Sequence, residues 1–340
     1  MFRLIVSSVK ILVQWVVIVV VIFAIAIGIF TFNYPDSAVS YIQSYLVKEK
    51  EPSLGDLIGL GIIGDSQSDE YRADDNRGSN FPSSTLNWVE ILEQERGVNM
   101  GKWSYWEEPR RQGYEFNWAR SGATAESMIA SGQHVGLAEQ VKNGEVNVVV
   151  IYIGANDFAP YQKENGYGAI YNGVLTDAQL ELKENLIVAH IQTAINVIRS
   201  DGEVQLFLVS IPDWGKHVGV KFAFPIPQKR ILVTQSINNT NMKLRKLATE
   251  RNAIFIDSNT FYSDLPKNTS TGKIVIGDTE LEVLQLNNSP ENVFLRDGVH
   301  TGTAFNGLFA NYMLAHINSY LTEEIVPLSN EEILEISGIR

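Results

Sequence analysis

Four short apolar runs recur along the chain, IGLGII (58–63), VNVVVIYI (146–153), VQLFLVSI (204–211) and NAIFID (252–257), and longer helical patterns lie between them. This alternation constrains the fold more than any other feature. VVVIYI and LFLVSI are continuous rather than alternating, as in strands covered on both faces. Strands that alternate with helices give a parallel sheet with right-handed crossovers. The intervening patterns predict helices over 86–96, 123–143, 178–200, 229–250 and 303–323. The segment GKIVIGDTELEVL (272–284) carries a hairpin signal at Gly277-Asp278 and reads as an insertion.

The N-terminus sets a second constraint. Residues 11–32, ILVQWVVIVVVIFAIAIGIFTF, contain no charge. As a helix they would extend roughly 33 Å, enough to cross a hydrocarbon core of about 30 Å. Arg3 and Lys10 precede the run and Asp36 is the first charge after it, so the positive-inside rule keeps residues 1–10 cytoplasmic and exports the rest. The length favours a retained membrane anchor over a cleaved signal, whose apolar region is about 7–15 residues. Residues 33–55, with Pro35 and Pro52, read as a stalk, 56–323 as one doubly wound α/β domain, and 324–340 as an acidic tail whose EEILEI stripe forms a docked or frayed helix.

Composition excludes several function classes. A net charge of −12 repels phosphate-rich partners, which argues against nucleic-acid binding. The absence of cysteine removes disulfides, thiolate metal sites and cysteine nucleophiles. No H-x-H, H-E-x-x-H or D-x-H spacing occurs, so a metal-dependent phosphoesterase is disfavoured. There is no G-x-S-x-G elbow either. The acidic stretch DEYRADDNRGSN (69–80) does not fit a calcium loop and reads as solvated.

Open α/β sheets bind ligands at the carboxyl ends of their strands. Ser66 follows the first run, Ser121-Gly122 follows YEFNWAR, and Asn156-Asp157 follows VVVIYI; Asp297 and His300 precede the last helix. Singly these are ordinary turn and cap compositions. Asp297 and His300 are spaced so that the carboxylate could fix the tautomer of the ring. Together the blocks GDSQS, RSGAT, GAND and DGVH stand in the order of the GDSL or SGNH hydrolases, which the chain resembles from residue 58 to about 320. Gln67 stands where that family often has Leu, and no proline follows His300.

The resemblance implies a flavodoxin-like parallel sheet and a serine esterase acting on ester substrates without a cofactor or metal. It implies Ser66 as nucleophile, His300 as base and Asp297 as its orienting carboxylate. The oxyanion donors would be the N–H groups of Ser66 and Gly122 and the amide of Asn156. Asp65 and Asp157 are expected to fix loops. Trp103, Tyr105, Trp106, Tyr114, Phe116 and Trp118 crowd the segment before Gly122, and aromatic residues there serve equally well as core, acyl pocket or sugar platform. With a membrane tether they suggest O-acyl groups on envelope or extracellular polysaccharide. A lipid or small ester, an acyltransferase built on the same residues, and a non-catalytic carbohydrate-binding module are the alternatives.

Overall fold

The computed structural model describes residues 55–339, apart from 74–76, 78–84, 163, 269 and 271. The expected anchor and nearly all of the stalk lie outside the described residues. Among the described residues no helix is long and apolar enough to cross a membrane.

The four runs form one parallel sheet of β1 (Leu60–Gly64), β4 (Val148–Tyr152), β5 (Gln205–Val209) and β6 (Ile254–Ile256), hydrogen-bonded in that order. Along the chain between β1 and β4, β2 (Trp103–Tyr105) and β3 (Gln112–Tyr114) pair with each other as a short antiparallel ribbon. On the free side of β1 the chain around Asn117 adds a parallel bridge to Ile62, held by Ile62 N–H to Phe116 O and Trp118 N–H to Ile62 O. Counting that segment as second in the chain, the spatial order is 2-1-3-4-5. Its direction reverses between β1 and β4, and crevices for ligands open at such reversals.

The continuous apolar runs are explained by burial on both faces. Val148, Val150 and Tyr152 join one hydrophobic cluster, with Leu60, Ile62, Phe207 and Val209. Val149 and Ile151 join the other, with Ile63, Leu206 and Leu208. Alternate side chains of a strand point to opposite faces, so each strand feeds both cores.

The helices follow the sequence patterns with one division. α1 (Trp88–Arg96) starts at a capping box of Asn87 and Glu90. The long pattern at 123–143 is two helices, α2 (Ala125–Ala130) and α3 (Gln133–Lys142). Gly132, at φ +76°, takes the left-handed conformation that ends the first and turns the chain into the second. α4 (Tyr167–Tyr171), α5 (Asp177–Ile198), α6 (Val218–Ala223) and α7 (Pro227–Glu250) follow, then α8 (Ser258–Asp264), α9 (Thr303–Asn318) and α10 (Asn330–Ile336). The C-terminal stripe is docked: Ile333 and Leu334 are buried, Ile333 lies against Gly307 of α9, and Arg96 pairs with Glu332 at 2.8 Å.

The expected hairpin is present as β8 (Lys273–Ile276) and β9 (Thr279–Leu286), joined at Gly277-Asp278. It belongs to a larger element. β7 (Lys267–Asn268) and β10 (Asn292–Phe294) extend it to a second four-stranded sheet, and β10 leads directly into the Asp297–His300 loop. At the other end of the domain Gly55 pairs with Leu321, beyond the end of α9, and the chain rises from there into β1.

Candidate active site

The turn after β1 is built by Asp65. Its Oδ1 accepts from Gln67 N–H at 3.0 Å, and its carbonyl accepts from Ser68 and Asp69 N–H, each at 3.0 Å. Ser66 therefore sits in the first turn beyond a buried strand and is itself buried. Asp65 N–H reaches Tyr152 O at 3.4 Å, which ties this turn to the tip of β4.

The second block runs beside the first. Arg120 N–H donates to Gly64 O at 3.1 Å, and Ser121 N–H donates to Asp69 Oδ2 at 2.6 Å. Gly122 has φ +82°, and no atom lies within 4 Å of where a Cβ would stand. The backbone thus demands glycine, and the space a side chain would fill there is open.

The third block is laced to the second. Asn156 Nδ2 donates to Ala123 O at 2.9 Å, while Tyr161 Oη donates to Asn156 Oδ1. With its oxygen engaged, the amide group is held in one orientation. Asp157 Oδ2 accepts from Ala125 N–H at 2.9 Å, the loop-fixing bond expected of it.

The fourth block closes the ring. Asp297 Oδ1 accepts from the N–H groups of Val299 and His300, each at 2.9 Å, and its Oδ2 lies 2.7 Å from His300 Nδ1. Burial would raise the Asp297 carboxyl, but the bonds and charge of His300 hold it well below the usual carboxylate range. An ionised Asp297 at this distance takes the proton on Nδ1, which leaves Nε2 as the basic nitrogen. Arg77 joins this block to the second, with Nη2 donating to Ser121 Oγ at 2.7 Å and Nη1 3.7 Å from Asp297 Oδ2. All four blocks thus belong to one hydrogen-bonded network at the carboxyl edge of the sheet.

Two residues of this network escaped the sequence reading. Arg77 lies in the acidic stretch, and Tyr161 was one aromatic residue among many. The stretch itself is not a solvated loop at its start: Asp69, Glu70 and Tyr71 are buried. Glu70 accepts from Tyr114 N–H and Glu90 from Tyr71 N–H, so backbone donors compensate the buried carboxylates. The six aromatics before Gly122 are mostly structural. Tyr114 and Phe116 are buried, Trp103 meets Tyr114 edge-on, and Trp106 and Trp118 each stack on Arg110, at 4.1 and 4.2 Å; only Tyr105, 79% exposed, faces solvent fully. His217 is packed between Trp214 and Phe294. Burial and the neighbouring His300 push its ring down to about 4, so it is neutral. Among the described residues no group of three His, Asp or Glu is placed to hold a metal ion.

Burial also pushes Asp65 up to about 7 and Asp157 up to about 6. Unfolded aspartates titrate near 3.8, so between about pH 4 and 7 the folded chain keeps protons that the unfolded chain has released. These two groups therefore cost stability as pH rises through that window. Urea midpoints are expected to fall from pH 5 to pH 8, by on the order of a few kcal/mol in unfolding free energy, and Asp65→Asn should flatten the slope. A slope unchanged in Asp65→Asn contradicts this account.

Residues 60–313 match the family model described as GDSL-like Lipase/Acylhydrolase. No curated protein matches the chain. Solved structures similar to it include the extracellular lipase from Streptomyces rimosus, at 17% identity and a TM-score of 0.43, covering 74% of this chain and 97% of that one. Others are an acetyl xylan esterase (15% identity, TM-score 0.41, 76% and 99% covered) and phospholipase A1 from Streptomyces albidoflavus NA297 (14%, 0.41, 74% and 97%).

Proposed function

The chain belongs to the GDSL-like lipase/acylhydrolase family and is an ester hydrolase, and we propose that it acts as a serine esterase on O-acyl groups, with Ser66 as nucleophile. The observation that carries this reading is the 2.7 Å pairing of Asp297 with His300 Nδ1, in a network that also ties down the turn around Ser66, the segment around Gly122 and Asn156. A serine hydroxyl is too weak a nucleophile unless a base takes its proton during attack. His300 Nε2 takes the Ser66 proton as Oγ bonds to the carbonyl carbon, and Asp297 stabilises the resulting imidazolium. The tetrahedral oxyanion is met by the N–H groups of Ser66 and Gly122 and by the Asn156 amide. Collapse expels the alkoxide, which His300 protonates, and water then releases the acyl group by the same steps in reverse order.

Mass spectrometry of protein quenched during p-nitrophenyl acetate turnover is expected to find the acetyl group on Ser66. Acetyl confined to other residues removes Ser66 from the mechanism. Asn156→Ala removes one oxyanion donor and is expected to lower kcat by about 10²–10³-fold. Tyr161→Phe, which frees the amide oxygen but leaves the donor in place, should lose far less.

The apolar segment 11–32 supports a membrane-tethered enzyme whose domain faces away from the cytoplasm, where O-acylated polysaccharide and lipid esters are both found. The aromatic cluster that would have favoured sugar faces is largely committed to packing, so support for polysaccharide rests on the tether alone. Protease added to intact cells should shed the domain, and full protection contradicts export. Product analysis with and without an added sugar acceptor separates hydrolysis from acyl transfer.

A further inference from the structure

Arg77 occupies an unusual place for a cation. Its Nη1 lies 3.0 Å from His300 Nδ1, its Nη2 donates to Ser121 Oγ, and its guanidinium stands 5.5 Å from the centre of the Tyr71 ring. That ring in turn meets His300 edge-on, at 5.9 Å between centroids. The Arg77 side chain is only 12% exposed, so water screens its charge weakly.

The nitrogen Nδ1 bears one proton site. It cannot donate to Asp297 and accept from Arg77 at once, and the shorter bond to an ionised carboxylate takes the proton. Arg77 is then left as a fixed positive charge beside the imidazole rather than as its hydrogen-bond donor. We propose that Arg77 is a positioning residue of the ester-cleaving site, which clamps the Ser121 loop to the Asp297–His300 loop and opposes protonation of His300, keeping the base available in mildly acidic solution. This rests on the serine-esterase reading given above.

Described groups that face His300 come from three segments. Asp297 comes from its own loop, Arg77 and Tyr71 come from the loop after β1, and His217 comes from the start of α6. Asp297 favours the imidazolium. His217 is neutral, Lys221 on α6 acts on His217, and Tyr71 is held protonated by burial, which pushes it up to about 12. Among these described groups Arg77 is the permanent cation set against Asp297.

The test is the pH dependence of kcat/KM for p-nitrophenyl acetate in the full chain, compared with Arg77→Met and Arg77→Lys. The acid limb is expected to move up by about one pH unit or more in Arg77→Met, the size of shift that one charge at this distance produces, and to stay near wild type in Arg77→Lys. An equal loss of rate at every pH in Arg77→Met, with the limb unmoved, overturns the proposal and leaves Arg77 a purely structural clamp. If the methionine variant fails to fold, titration of the His300 ring by NMR in wild type and Arg77→Gln is expected to read the same upward shift, with Arg77→Lys near wild type; a ring that titrates alike in wild type and Arg77→Gln also overturns the proposal. Because this readout needs no turnover, an inactive wild type sinks the esterase reading separately.

Discussion

His300→Ala is expected to lower kcat/KM for p-nitrophenyl acetate by roughly 10⁴-fold or more while leaving the protein folded. The ring is a small one whose described neighbours, Tyr71, Asp297 and Arg77, are each anchored elsewhere. In the proposed mechanism its chemical loss is large, because His300 is the only base assigned to take the Ser66 proton. His217 is no substitute: its ring is buried and neutral between Trp214 and Phe294. Ser66→Ala should cost about as much, and the double variant hardly more, since nucleophile and base act as one unit. A His300→Ala enzyme within about tenfold of wild type would remove the imidazole from the reaction.

The largest effect on stability is expected at Glu90. Its carboxylate is fully buried and accepts four bonds: from Asn87 N–H at 2.9 Å, Tyr71 N–H at 3.0 Å, Arg72 N–H at 3.2 Å and Arg72 Nε at 2.9 Å. One side chain thus completes the cap of α1 and fixes the backbone of the loop that carries Tyr71 towards His300. Burial raises the Glu90 carboxyl, while Asn87 and Arg72 draw it back. Glu90→Ala strands the buried N–H donors of Tyr71 and Asn87 and breaks the ion pair with Arg72, and should cost about 3–5 kcal/mol in urea unfolding. Glu90→Gln keeps an acceptor and should cost less. A loss below about 1 kcal/mol in the alanine variant contradicts this account of the loop.

How much of this was legible in the sequence follows from the range of the interactions involved. The strands and the long helices were readable because period and continuity of apolar residues report burial directly. Gly132 divides one helical pattern in two, and a glycine inside such a pattern is often tolerated, so its left-handed turn left no separate trace. Asp69 and Glu70 were misread because acidic letters signal solvent. What buries them is a set of donors from distant segments, Ser121 N–H and Tyr114 N–H, to which a local window is blind. The four blocks were found through their family order, since each alone is ordinary turn composition. Arg77 and Tyr161 reach the site only through tertiary contacts, and no spacing rule pointed to either. The insertion was recognised as a hairpin, yet its role, delivering the Asp297–His300 loop through β10, depends on sheet pairing that sequence does not display.

The pairing of Gly55 with Leu321 stands at the start of the sheet, a strand's length from the Ser66 turn. Gly55 N–H donates to Tyr320 O and its carbonyl accepts from Thr322 N–H, so the segment after α9 is sewn to the approach to β1. Loosening that seam would free the base of the sheet while leaving the carboxyl edge in place.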